Sequence, residues 1–353
     1  MEQCHHLKDH GAISSPQIPW SNHITTKAME QSHHPKDEIR GMEHEGMNRN
    51  HRSLNGQCKG SPKRQSSDVV YVVGGWSKDN PSCQVEQFCS QNNEWKMTTP
   101  MLRPRKDVGV CAMGGLIYIV GGADDFTCVT SVDRYDPERN SWCGDVAPLT
   151  SARSRVCVLE MDGFLVTLGG YDGTACTNAV ERYDPEGNCW SKLAPMLRRR
   201  AGAAAAVLDG HIYVVGGNDG DTSLDSVERF GAIEGVWSLC PPMLSVREGA
   251  GCCVYLGCVY VAGGRDELGL PLCTVEKYDP HTGRWSPARA MRNKRYQVSL
   301  VVFDGLLLAI GGSDGVSDLK TMEAYDPEAN SWRHFGSMKS KHPGGHVALV
   351  KAL

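Results

Sequence analysis

The sequence predicts an all-β fold made of one four-stranded unit repeated six times, and three observations carry this. A Gly-Gly pair recurs in register, beginning at Gly74, Gly121, Gly169, Gly216, Gly263 and Gly311, at intervals of 47 or 48 residues. A tryptophan follows each pair by 21 or 22 residues: Trp95, Trp142, Trp190, Trp237, Trp285 and Trp332. Seven residues before each tryptophan stands an aromatic (Phe88, Tyr135, Tyr183, Phe230, Tyr278, Tyr325), and two before that an acid (Glu86, Asp133, Glu181, Glu228, Glu276, Glu323). A period of about 40 to 50 residues is the signature of a repeat architecture.

Each repeat reads as four short strands. An apolar strand such as Leu116–Val120 ends at the glycine pair, where a backbone without a Cβ can turn or approach a neighbour. A turn follows, with Asp-Gly at Asp172, Asp219 and Asp314, a pair that tolerates hairpin dihedrals. Next comes a strand such as Ala179–Tyr183, closed in four repeats by Asp-Pro, as at Asp136 and Asp184. The tryptophan strand is third. The fourth follows a Pro-Met-Leu-type loop and runs into the next apolar strand. Four-stranded sheets repeated about an axis make a β-propeller, here with six blades. The large aromatics are then packing residues between blades.

Ring closure follows from counting strands. Before Gly74 there is one apolar strand, Asp68–Val73, where the other blades have two. Residues Gly345–Val350 after the last tryptophan can supply the missing strand, and pairing it into the first blade removes two open edges. The propeller is expected over residues 67–353.

Residues 1–66 differ. They hold eight of the thirteen histidines, 9 Lys/Arg and 7 Asp/Glu, and show neither a helical nor a strand period. Such a segment buries too little apolar surface to offset chain entropy and is expected to be a disordered, His-rich tail. Its Cys4, His5, His6, His33 and His34 match no standard metal spacing, so no metal and no cofactor is expected. The net charge of −4 disfavours nucleic acid, which calls for a basic field. No apolar run is long enough to span a membrane and no signal sequence is visible, so a cytoplasmic location is expected. Fifteen cysteines without a CxxC pair read as reduced thiols. Cys252, Cys253 and Cys258 lie near the cation Arg247, which would lower a thiol's pKa, but a strand position favours inert burial.

Glycine pair, acid, Tyr-Asp-Pro and tryptophan at this spacing resemble the kelch repeat. The further Pro-Met-Leu-Arg element at Pro100–Arg103 and Pro195–Arg198 is similar to the kelch-like proteins, which place BTB and BACK domains before the propeller. The resemblance implies that a BTB domain binds a cullin while the propeller recruits the protein to be ubiquitinated. Residues 1–66 cannot hold both domains, so cullin binding is expected only of a longer form, and the chain alone is expected to be monomeric.

Residues repeated in every blade serve the fold; residues that vary at equivalent loop positions are candidates for a ligand. Arg105, Arg153, Arg200, Arg247 and Arg295 recur before the first strand, with His342 in the sixth place, and this recurrence favours loop anchoring. The two following positions vary, as does the residue after each glycine pair. In proteins of the resembled family these positions line one face and grip a peptide. The matching ring is Trp76, Lys106, Asp107, Ser154, Arg155, Tyr171, Asn218, Glu248, Arg265, Tyr296, Gln297 and Ser313. Arginines and aromatics are interface anchors, and Arg155 and Arg265 suggest an acidic or phosphorylated peptide, diluted by Asp107 and Glu248.

The leading expectation is therefore a protein-binding module, the substrate-recognition part of a ubiquitin-ligase adaptor. The alternative is an actin-binding or cytoskeletal scaffold, as some kelch proteins are. A remote alternative is a copper oxidase similar to galactose oxidase. No catalytic constellation is readable, and the propeller's histidines, His211, His281, His334, His342 and His346, find no tyrosine and cysteine to complete a copper site.

Overall fold

A computed structural model describes residues 68–77, 80–90 and 92–351. The tail expected over 1–66, with its Cys4, His5, His6, His33 and His34, lies outside the described residues. The described chain forms six antiparallel four-stranded sheets in a ring. From the axis outward, blade two comprises Gly109–Met113, Leu116–Val120, Val132–Asp136 and Ser141–Cys143; blades three to six repeat this order from Cys157, Ala204, Glu248 and Ser299. Blade one is composite. His346–Val350 is its innermost strand, paired with Val69–Val73 from Val69↔Val350 to Val73↔His346, followed outward by Val85–Cys89 and Glu94–Met97. The closure expected from strand counting is thus the observed one.

The apolar core lies between neighbouring blades. Tyr71, Val73 and Val85 of blade one pack with Val110, Ile117, Ile119 and Tyr135 of blade two, and Tyr213, Val215 and Val227 of blade four with Val259, Val261 and Tyr278 of blade five. The tryptophans join blades by a hydrogen bond as well as by packing. The indole N–H of Trp142, Trp190, Trp237, Trp285 and Trp332 donates to the carbonyl of Thr99, Ala147, Ala194, Pro241 and Arg289, each in the loop leaving the preceding blade, at 2.7–2.9 Å. Trp95, at the closing seam, keeps its indole N–H buried without a partner. The register of blade six shifts at Met322/Glu323 in the same apolar cluster.

The recurring arginines anchor the loops, as their recurrence suggested. Arg200 is fully buried and donates to the Gly216 and Ser226 carbonyls at 2.7 and 2.9 Å and to Glu228 at 2.9 Å. Glu228 also accepts the Leu197 and Arg198 N–H groups of the incoming loop. The Arg200 carbonyl, in turn, accepts the Gly170 N–H of the preceding blade at 2.7 Å. A Cβ on Gly169, which sits at φ +60°, would collide with that same carbonyl; this close approach explains the glycine pair. At the seam His342 takes the arginine's place, with Nδ1 2.8 Å from the Gly74 carbonyl and Nε2 3.1 Å from Glu86. Burial works to raise the Glu86 pKa, but the His342 hydrogen bond and the Lys339 and Ser340 N–H groups bring it below the usual value.

The Asp-Gly pairs do not form two-residue hairpins. They sit inside a loop of about ten residues between the second and third strands, and the aspartate side chain folds that loop. Asp172 accepts the N–H of Thr174 and Ala175, and Asp314 those of Val316 and Ser317, an Asx turn. The tight hairpins are elsewhere, between first and second strands, where Asp162-Gly163 and Asp304-Gly305 have both φ values positive, the type I′ geometry.

Candidate functional site

The variable loop positions meet at one end of the propeller, around the mouth of the axis. In each of four blades the residue after the buried arginine exchanges two backbone hydrogen bonds with the residue after the glycine pair: Lys106 with Ala123, Ser154 with Tyr171, Ala201 with Asn218, and Tyr296 with Ser313. In blade five Glu248 lies opposite Arg265 in the same way, and in blade one the Trp76 N–H donates to the Pro343 carbonyl at 2.8 Å. The predicted ring is therefore one contiguous set in space.

The second variable position forms a belt about the axis. The N–H of Arg155, Gly202, Gly249 and Gln297 each donates to the carbonyl of its predecessor, starting from Asp107, at 2.8–2.9 Å. The Gln297 side-chain amide donates to Asp107 at 3.1 Å and joins the two ends. Asp107, Arg155 and Gln297 hold left-handed φ values of 53°, 51° and 55°, unusual for such residues. The three glycines of this position seat large neighbours. A Cβ on Gly202 would lie 2.8 Å from the Arg155 guanidinium, one on Gly249 2.5 Å from the Tyr296 ring, and one on Gly344 3.2 Å from Trp76. Sequence reading treated these glycines as free variation; they are where side chain is removed so that a neighbour can lie flat.

Cations and rings pair on this face. The Lys106 ammonium lies 3.8 Å from the centroid of Trp76, and the Arg265 guanidinium 4.6 Å from that of Tyr296, both within cation–π range. Glu248 pairs with Arg155, which reaches over blade four, and with Arg265 at 2.9 Å. The Arg265 Nε donates to its second oxygen at 3.2 Å, as does Ser223 at 3.4 Å. Burial raises the Asp107 carboxyl, while Arg155, Lys106 and the Gln297 hydrogen bond oppose the rise. Ser154 and Glu248 are buried and hold up their neighbours; Trp76, Lys106, Asp107, Arg155, Tyr171, Asn218, Arg265, Tyr296, Gln297 and Ser313 are partly exposed. Arg155, Asp107, Tyr296 and Gln297 line a small cleft of about 40 Å³ at the mouth of the axis. Below it runs a channel of about 140 Å³ lined by the innermost strands.

Sequence reading missed a second tier. The fifth residue after the first glycine of the pair is Phe126, Leu268 and Val316 in blades two, five and six, with exposures of 91%, 77% and 96%. Each stands on an Asx-folded loop, its N–H donated to Asp124, Asp266 or Asp314. The signal was available as another position that varies in register, but an exposed apolar residue is visible only once the loop is built.

The thiols of Cys111 and Cys157 are pushed up to about 12 by burial, and those of Cys252, Cys253 and Cys258 are also raised chiefly by burial. Among the described residues no group of three or more His, Cys, Asp or Glu is placed to hold a metal ion. Among the described residues no helix is long and apolar enough to cross a membrane.

Comparison with known proteins accords with the repeat geometry. The KLHDC2/KLHL20/DRC7 Kelch-repeats domain matches residues 64–246, and the Kelch motif matches residues 247–292 and 294–339. The chain is similar to human Kelch-like protein 4, 37% identical over 62 residues that make up 18% of this chain and 9% of that protein. It is also similar to human Kelch-like protein 23, 34% identical over 87 residues, 23% of this chain and 14% of that one. The matched stretches thus span about a tenth of these relatives. A solved structure described as "Structure of YjhT" superposes with a TM-score of 0.67 at 15% identity, covering 75% of this chain and 94% of that one, a likeness of fold alone. The chain belongs to the kelch-repeat family.

Proposed function

We propose that this propeller is a protein-binding module and that the ring around the axial mouth grips a peptide segment of a partner. One observation supports the reading above others. The residues common to all blades are buried as struts, whereas the residues that differ from blade to blade are gathered on one face, where Trp76, Tyr171 and Tyr296 are partly exposed. Aromatic anchors beside cations are the usual energetic centre of an interface. The resemblance to kelch-like proteins extends the proposal: the partner is a substrate recruited for ubiquitination by a cullin-RING ligase, with the cullin contact supplied by a longer form.

The test is affinity capture from cells, read by mass spectrometry, with the wild type and with Trp76→Ser/Phe126→Ser/Tyr171→Ser. This variant leaves the Arg155–Glu248–Arg265 cluster intact and should melt as the wild type does. Loss of a wild-type partner is the expected result. Retention of the same partners by the folded variant would move the site off this face. Absence of cullin from the wild-type capture would limit the ligase role to a longer form.

A further inference from the structure

Arg155 and Arg265 have the chemistry to hold a carboxylate or phosphate, yet both already hold one. Glu248 lies between them with its side chain 2% exposed. One oxygen faces both guanidinium groups; the other accepts the Arg265 Nε and the Ser223 hydroxyl. The Arg265 contact is two-pronged, the geometry in which arginine binds a carboxylate most specifically. Arg155 is held across blade four by the flat seat of Gly202, so its reach to Glu248 is built into the backbone. Arg265 is also stacked on Tyr296, which fixes its plane.

We propose that Glu248 is an internal ligand that occupies the anion site of this face and selects against acidic and phosphorylated partner segments. An incoming anion must displace a carboxylate that is already desolvated and tethered, and would leave it buried without its counter-charges, a costly outcome. Much of the positive charge of the two guanidinium groups is already answered by Glu248, which weakens the pull on a further anion. Apolar side chains stand open around this cluster: Phe126, Leu268 and Val316 are exposed on the surrounding loops, beside the exposed acids Asp125, Asp172, Asp221 and Glu267, which repel a further anion. The segment this face takes is therefore free of acidic and phosphorylated residues and carries aliphatic or aromatic side chains. The inference rests on reading this face as the partner-binding one.

The test is calorimetric titration of the full chain with inorganic pyrophosphate, for the wild type, Glu248→Gln and Glu248→Gln/Arg155→Gln. The glutamine variant should bind at least about tenfold more tightly than the wild type, a gain of about 1.4 kcal/mol, and the double variant should lose the gain. Equal affinity in wild type and Glu248→Gln, or a gain that survives Arg155→Gln, would overturn the proposal. Should Glu248→Gln not fold, Glu248→Ala, which also removes the carboxylate, is read the same way. The titration reads the arginines alone and the capture experiment reads the face, so either can fail without the other.

Discussion

Replacing Arg200 by methionine tests the idea that the buried arginines hold the ring together. Arg200 and Glu228 are both fully buried as an ion pair. The guanidinium makes bonds to two backbone carbonyls, to the Ser226 hydroxyl and to the Glu228 carboxylate. Methionine fills much of the volume but leaves a buried carboxylate whose remaining donors are the N–H groups of Leu197 and Arg198. Breaking a buried pair from one side costs about 3–5 kcal/mol. At about 2–4 °C per kcal/mol for a domain of this size, the melting temperature should fall by roughly 6–20 °C. In Arg200→Met/Glu228→Gln the amide oxygen still accepts one of the two backbone donors and no charge is stranded, so the double variant should melt above the single one. Differential scanning fluorimetry of the four proteins completes the cycle. A single variant melting within about 2 °C of the wild type, or a double variant showing the sum of the two losses, would refute the reasoning.

Three further outcomes are expected. His346 lines the channel, and burial lowers its pKa from 6.5 to about 4. Between those values the unfolded chain takes up a proton that the native one refuses, so stability is fully present above about 6.5 and falls as the pH drops towards about 4, by at most about 3 kcal/mol. Denaturant midpoints for His346→Asn should show a flatter profile over that window. Leu256 occupies the first turn position of the Leu256-Gly257 hairpin at φ +49° with its side chain exposed, where a leucine is strained; Leu256→Asn should raise stability by about 1 kcal/mol in a urea titration. Iodoacetamide at pH 8, followed by peptide mapping, should label the exposed Cys143 and Cys189 while Cys111 and Cys157 stay unmodified until the protein unfolds.

The parts of this molecule that repeat were legible in the sequence, because a strut needed six times is written six times. Gly169, Trp190, Glu181 and Arg153 could each be given a structural role from spacing alone, and the pairing of Val69–Val73 with His346–Val350 followed from a missing strand. The ring positions were also legible, as the places where the pattern is silent. What the residues do to one another there was not. Whether Arg155 is an open cation depends on its reaching Glu248 across a whole blade, 93 positions later, through a gap that exists because position 202 is glycine. Burial decides the thiols in the same way: Cys252 reads as a residue near a cation in one dimension and as an interior group in three.

The composite first blade has a consequence for how the molecule is made. Val69–Val73 emerges from the ribosome before the other propeller strands, yet its inner edge has no partner until His346–Val350 is complete. Through most of synthesis the growing ring is therefore an open arc with an exposed edge at each end, the kind of surface that recruits other chains. The last contacts formed join residues some 280 positions apart in the sequence, so closure is the slowest loop to find. A chain stopped only a few residues before His346 would possess every glycine pair and every tryptophan and still be unable to close.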